Sequence, residues 1–326
     1  MRFIAHKRDV DDKEQSVAMH LSEVGDFANQ FAAKICSEVN SGEAGALIGL
    51  LHDFGKYSQT FQRYIKSATG MIKPDEGDYV DAKGLKGKID HSSAGAQWLF
   101  NQLGSLARQR YTDKDDAKLV LAGIQALALC VACHHSGLID CLPTALGKGF
   151  NLRIRKPDDK TFLKECIANA DSSIVDKANA LVSNQLLDGL LAVGKKISQP
   201  LQNGFLVSEL SRAFYAGLYT KFLFSGLIDA DRISSADFEN PQNRAHRSNL
   251  RSDRPNWTLA CERVEHFIAG LETATSLNSP IDGIRQSISN QCKKRATDQQ
   301  GIYSLTVPTG GGKTYASLRY AVHHAQ

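Results

Sequence analysis

Apolar residues recur at spacings of three and four along 16–40, where His20, Val24, Phe27, Phe31 and Ile35 share one face, and the pattern predicts an amphipathic helix. A second, more apolar helix is predicted over 43–54 and a short amphipathic one over 57–66. Further helices are predicted over 92–108, with Ala94, Trp98, Leu99 and Leu103 inward, and over 113–134, 159–196 and 205–230. Glycines and mixed charge mark 70–90 as a surface loop, and glycine and proline punctuate a connection over 137–160. From Asp231 to Pro255 the chain turns polar and carries Arg244, Arg247, Arg251 and Arg254. Helices over 256–276 and 280–297 come next, then Ile302–Val307 as a short buried strand, a glycine-rich turn over 308–314 and the start of a helix. The expected fold is an all-α bundle over 1–275, including a polar connecting segment at 232–255. A linker helix and the first strand, loop and helix of an α/β domain would occupy 276–326, with the rest of that domain absent.

Composition narrows the class. The 326 residues are 42% hydrophobic and 23% charged, which excludes collagen-like, coiled-coil and wholly disordered chains. Seven cysteines are too few for a disulfide scaffold and suit a reducing compartment. The N-terminus runs straight into charge without a signal-peptide core. The most apolar stretch, Leu119 to Cys133, is shorter than the roughly 20 residues a membrane helix needs. A cytoplasmic protein without a membrane partner, monomeric in solution, is expected. The net charge of +4 permits a polyanionic partner without demanding one.

The chemistry lies in histidine and aspartate at the ends of apolar helices: His20, His52-Asp53, His91, His134-His135 and Asp229. Imidazole nitrogen and carboxylate oxygen are ligands for Mn, Fe, Ni, Co or Zn, and a carboxylate can bridge two ions. Two ions about 3.5–4 Å apart suit phosphodiester cleavage. Gly55 would allow a tight exit from the helix, and Lys56, three residues past Asp53, could reach the same cavity and a bound phosphate. Cys130-Val131-Ala132-Cys133-His134 matches a haem-attachment pattern, and Cys130, Cys133 and Cys141 could form a zinc site. Their place in a long apolar stretch makes them core residues instead.

The string Leu51-His52-Asp53-Phe54-Gly55-Lys56, with His20 upstream and His91, His134-His135 and Asp229-Ala230-Asp231 downstream, resembles an HD-superfamily metal-dependent phosphohydrolase. The spacing is most similar to the HD nuclease domain of the CRISPR-associated nuclease-helicase of type I interference systems. That resemblance implies two divalent transition ions (Mn, Ni, Co or Fe). One would be held by His20, His52, Asp53 and Asp229, the other by Asp53, His91, His134 and His135, with Lys56 near the scissile phosphate. It also implies single-stranded DNA as substrate and an RNA-guided surveillance complex as partner.

Pro308-Thr309-Gly310-Gly311-Gly312-Lys313-Thr314 has the setting of a phosphate-binding loop, between a predicted strand and a predicted helix. Val307 stands where the strict Walker pattern has glycine, and the string is instead similar to motif I of superfamily 2 helicases. Gly310, Gly311, Gly312, Lys313 and Thr314 would contact ATP and Mg only in a full-length helicase, and no ATP turnover is expected of this chain. Lys83, Lys86 and Lys88 and, in a second loop, Arg153, Arg155 and Lys156 are candidates for a DNA path. The leading expectation is a metal-dependent single-strand deoxyribonuclease. An HD enzyme acting on small nucleotides and a non-enzymatic docking scaffold are the competing readings.

Overall fold

The computed structural model describes residues 3–35, 41–139, 149–199, 208–252, 256–274, 279–299, 301 and 303–326. Its contacts divide the chain into two units, Met1–Asn243 and Arg244–Gln326, at an earlier point than the expected boundary after 275.

The first unit opens with an antiparallel hairpin absent from the all-α expectation, β1 (Ile4–Lys7) and β2 (Glu14–Ser16). Its turn closes through Arg8 N–H to the Lys13 carbonyl at 2.8 Å. Ser16 then caps α1 (Val17–Ala32), its hydroxyl accepting from the Met19 N–H. Helix α2 (Gly42–Leu51) is buried on every side except at Glu43, as expected of a helix apolar all round. It crosses α1 where both are glycine: a Cβ on Gly49 would stand 2.7 Å from the Gly25 Cα, so no larger residue permits that approach.

A 3₁₀ turn (Phe54–Tyr57) leads into α3 (Gln59–Ala68) and the short α4 (Ala82–Leu85). Then come α5 (Ser93–Arg110) and α6 (Lys114–Cys133), the latter started by Asp113 accepting from the Asp115 and Asp116 N–H groups. Helix α6 is long and apolar enough to cross a membrane, yet half of its apolar window is buried and it packs against α5. Cys130 and Cys133 are buried within it and take part in no disulfide among the described residues, while Cys141 lies outside them. The predicted 159–196 helix is broken into α8 (Asp158–Thr161), α9 (Leu163–Asn169), α10 (Ser172–Leu181) and α11 (Asn184–Ser198), preceded by α7 (Phe150–Ile154).

Helix α12 (Glu209–Glu239) runs 31 residues and closes the bundle against α1, α2, α6 and α11. The expected polar connection at 232–255 is therefore mostly helical. Neither proline nor glycine interrupts the chain between Gly226 and Pro241, so α12 continues to Glu239; α13 (Pro241–Ser252) restarts with proline at its first position.

The second unit holds α14 (Trp257–Ala274), α15 (Pro280–Arg295) and α16 (Lys313–Ala325). Glu265 on α14 gathers Arg319 and His323 from α16 and Lys293 from α15, at 2.6, 2.8 and 2.9 Å. The predicted strand does not form: Tyr303–Val307 pair with no strand among the described residues, and Tyr303 and Leu305 are exposed. A ladder needs a neighbour to satisfy its N–H and C=O groups, and the described residues supply none.

Candidate metal centre

Five elements converge on Asp53. Helix α1 carries His20 in its first turns, with the ring inward and fully buried. Helix α2 ends at His52, and Asp53 follows with φ −110° and ψ 23°, a sparsely used bridge conformation that turns its carboxylate under the helix end. His91 precedes α5 and is held against the 3₁₀ turn by Gly55 N–H to the His91 carbonyl at 3.0 Å. A Cβ on Gly55 would meet that carbonyl oxygen at 2.5 Å. The role of Gly55 is thus close approach to His91, and it does not adopt the left-handed conformation expected of a tight helix exit. Helix α6 delivers His134 and His135 at its C-terminal end, and α12 delivers Asp231.

The two oxygens of Asp53 face different groups. Oδ2 lies 3.4 Å from His20 Nε2 and 3.4 Å from His52 Nε2, and these two imidazoles face Asp231 Oδ1 at 3.4 and 3.7 Å. Oδ1 lies 3.1 Å from His134 Nε2, 3.6 Å from His91 Nε2 and 4.0 Å from His135 Nε2. Ligand atoms about 2.1 Å from a shared ion stand roughly 3.0–3.4 Å apart, so most of these separations suit edges of a coordination shell better than direct hydrogen bonds. Two candidate clusters result: His20, His52 and Asp231, and Asp53, His91, His134 and His135.

The donor chemistry fits metal ions. His52 Nδ1 donates to the Gly49 carbonyl at 2.8 Å, His134 Nδ1 to Val131 at 2.9 Å and His91 Nδ1 to Ile89 at 3.0 Å. A carbonyl only accepts, so each of these Nδ1 atoms carries a proton, and each ring in its neutral form turns an Nε2 lone pair into the cavity. The Nε2 atoms of His20 and His52 are fully buried and have no hydrogen-bond partner, a costly arrangement that a cation would relieve. His91 and His135 place their Nε2 atoms 2.6 Å apart, tolerable only with a proton on His135 or an ion shared between the lone pairs.

Charge is concentrated accordingly. Burial opposes ionisation of Asp53, but Lys56, His52 and His134 outweigh it and hold the carboxyl well below the usual carboxylate range. Asp231 is only partly buried; desolvation opposes its ionisation too, and His20 and His52 outweigh it and hold the carboxyl low. Burial lowers the His52 pKa, but Asp53 and Asp231 overcome that and raise it to about 10. Burial pushes His91 down and, with His134 close by, pushes His135 down to about 4. Lys56 is buried, with Nζ 2.7 Å from Asp53 Oδ2 and 5.6 Å from the centre of the Phe61 ring.

Six of the seven expected ligands, His20, His52, Asp53, His91, His134 and His135, thus come together, and Lys56 joins them. Asp229 does not: its side chain is exposed, and Asp231 takes the place assigned to it. Two residues along a helix amount to a rotation of about 200°, so Asp229 and Asp231 point to opposite sides of α12. The signal was present, because Leu223, Leu227, Ala230 and Ser234 define the buried face and Asp231 lies beside it. Sequence reasoning also passed over His6 on β1. Its ring packs edge-on to His20 at 4.9 Å, its Nε2 is buried without a partner, and burial with Lys56 and His20 nearby lowers its pKa to about 3.

The glycine-rich loop belongs to the second unit. Gly310 and Gly312 have φ of 85° and 78°, conformations open to glycine, and Gly312 leads into α16. Lys313 folds back onto the Val307 carbonyl at 2.6 Å, and Arg285 donates to the Gly310 carbonyl at 2.8 Å. Thr314 stands in the first turn of α16, and Gly311 packs against Val307. Of the basic residues expected on a DNA path, Lys83, Lys86, Lys88 and Arg155 are exposed and Lys156 pairs with Asp90. Arg153 donates to the Ala132 carbonyl and the Ser136 hydroxyl, at 2.5 and 3.3 Å, on either side of His134-His135.

The chain is similar to solved structures titled T. fusca Cas3, T. fusca Cas3-ATP and T. fusca Cas3-AMPPNP, at 16, 17 and 16% identity and a TM-score of 0.34 each. The matches cover 99% of this chain and 34% of those, so it spans about a third of their length. No curated protein matches it. The family described as Cas3, HD domain matches residues 4–207, a span that includes every histidine of the centre, Asp53 and Lys56, with Asp231 beyond it. The chain belongs to the Cas3 HD-domain family.

Proposed function

We propose that this chain is a metal-dependent phosphodiester hydrolase with a binuclear His/Asp centre, and that its substrate is single-stranded DNA. The observation that carries the reading is the division of the Asp53 oxygens between two groups of imidazole and carboxylate ligands. His20, His52 and Asp231 would hold one ion and His91, His134 and His135 the other, with Asp53 common to both. When bound, two such ions supply a water acidic enough to attack at neutral pH and neutralise the phosphodiester charge. The chain's own residues do the rest. Nδ1–H bonds to fixed carbonyls orient His52, His91 and His134. Lys56 balances the Asp53 charge and offers an ammonium to a phosphate oxygen.

Family membership supports a nucleic-acid substrate, and so does exposure at the mouth: His135 is 56% exposed while His20 and His52 are fully buried. Arg153, bonded on either side of the His134-His135 turn, and the exposed Arg155 two residues on suit the backbone of a single strand. A second reading, hydrolysis of small nucleotides, has support of its own, since the ligands and Lys56 recognise a phosphate ester without requiring a polymer. Coupling to an ATP-driven superfamily 2 helicase through the loop at Gly310–Thr314, and recruitment by an RNA-guided surveillance complex in type I CRISPR interference, belong to this same proposal for the whole protein. The test is hydrolysis of circular single-stranded DNA, duplex DNA and a panel of free nucleotides with Mn, Ni or Co. Chelator-treated protein and Asp53→Ala serve as controls. Cutting of the circle that needs metal and Asp53 is expected, without any need for ATP. Turnover of nucleotides with DNA left intact would establish the second reading instead.

A further inference from the structure

We propose that Ser234 and Glu23 are positioning residues for His20, forming a hydroxyl-to-carboxylate relay that decides which imidazole nitrogen faces the metal. The proposal rests on the metal-centre reading above.

His52, His91 and His134 each give their Nδ1 proton to a backbone carbonyl, and His20 does not. His20 Nδ1 meets the Ser234 hydroxyl oxygen at 3.2 Å, in a fully buried contact between α1 and α12. A hydroxyl both donates and accepts, so this contact alone leaves the His20 tautomer open. Glu23 closes the question. Its Oε2 lies 3.0 Å from the Ser234 oxygen, and a carboxylate accepts only. The Ser234 proton therefore goes to Glu23, and the serine oxygen is left to accept from His20 Nδ1–H. His20 Nε2 then keeps its lone pair, 3.4 Å from both Asp53 Oδ2 and Asp231 Oδ1.

The relay is braced from a third side. Gln15 on β2 is buried, and its amide donates to the same Glu23 oxygen at 3.1 Å and stands 3.4 Å from the Ser234 oxygen. Ser234 also lies one helical turn beyond Asp231, so a single stretch of α12 supplies a ligand to the ion and the partner that orients another. Carboxylates behind ligating histidines fix the ring and strengthen its lone pair, and their loss typically weakens metal binding by about 10–100-fold.

The experiment follows ¹⁵N-labelled histidine by NMR in the metal-free full chain at alkaline pH, and titrates Mn²⁺ by calorimetry into wild type, Ser234→Ala and Glu23→Gln. Wild type should show His20 as the Nδ1–H tautomer. Both variants should show a mixture, with Mn²⁺ binding at one of the two sites weakened by about 10–100-fold in Ser234→Ala and less in Glu23→Gln. Glu23 is only partly buried, so Glu23→Gln decides the matter should Ser234→Ala fail to fold. An unchanged tautomer in the folded variants would overturn the relay. Wild type that binds no Mn²⁺ would instead overturn the metal-centre reading, and the tautomer measurement would still judge the relay.

Discussion

Lys56 Nζ lies 2.7 Å from Asp53 Oδ2, on the oxygen that also faces His20 and His52. A buried ammonium on a ligating carboxylate offsets negative charge in the absence of ions and stands ready for a phosphate oxygen when they are bound. Lys56→Ala should therefore retain metal and lose hydrolysis by about 10²–10³-fold, the usual scale for removing one group that stabilises transition-state charge. Metal content by mass spectrometry beside turnover would check this. Loss of metal together with activity would make Lys56 a support for the ligands alone.

Asp231 and Asp229 make a paired test on one helix. Asp231→Asn should reduce metal binding from two ions to one and abolish most hydrolysis. Asp229→Asn, at an exposed position, should change stability by no more than about 0.5 kcal/mol and activity by less than threefold. Calorimetric stoichiometry would separate them, and the reverse ranking would show that α12 presents its other face.

Acid and base should act in opposite senses on the metal-free and metal-loaded chains. His52 has its pKa raised from 6.5 to about 10 without metal, mainly because Asp53 and Asp231 outweigh the effect of burial. Its contribution to metal-free stability is thus fully present below pH 6.5 and disappears as pH rises through about 10. A metal needs the neutral ring, so Mn²⁺ affinity should rise across the same window as the competing proton leaves. Thermal unfolding with and without Mn²⁺ across this range would test both signs, and a metal affinity independent of pH would contradict them.

Asp90 anchors the start of α5 beside His91. Its carboxylate accepts from the Ser93 N–H at 2.9 Å and the Ser93 hydroxyl at 2.6 Å, and it pairs with Lys156. Burial opposes its ionisation, yet Lys156 and Ser93 pull its pKa down from 3.8 to about 2. The resulting stability is present above pH 3.8 and is lost as pH falls through about 2. Asp90→Asn should cost roughly 1–2 kcal/mol at neutral pH, measured by urea unfolding, with a smaller loss in acid. Equal losses at both pH values would mean that the cap rather than the charge matters.

The helices that build the centre were legible in their apolar spacing, and in the structure Ser16 and Asp113 add side-chain caps to α1 and α6. His52-Asp53 and His134-His135 were legible as polar pairs ending apolar helices. Choosing Asp229 over Asp231 followed the motif and neglected the phase of α12, whose buried face the periodicity already marked. Glu23, Ser234 and His6 carry no local signal, since their meaning comes from a contact between α1 and α12 and from a hairpin. The strand at 302–307 failed for the opposite reason, because β-branched composition describes a residue's preference and a ladder requires a partner.

The central claim is that Asp53 is shared by two ions. Anomalous diffraction from a Mn²⁺-loaded crystal tests it most directly. Two peaks about 3.5–4 Å apart are predicted, one beside Asp53 Oδ2 with His20, His52 and Asp231, the other beside Oδ1 with His91, His134 and His135. A metal peak at either histidine group with Asp53 more than about 5 Å away, well beyond any ligand bond, would contradict it.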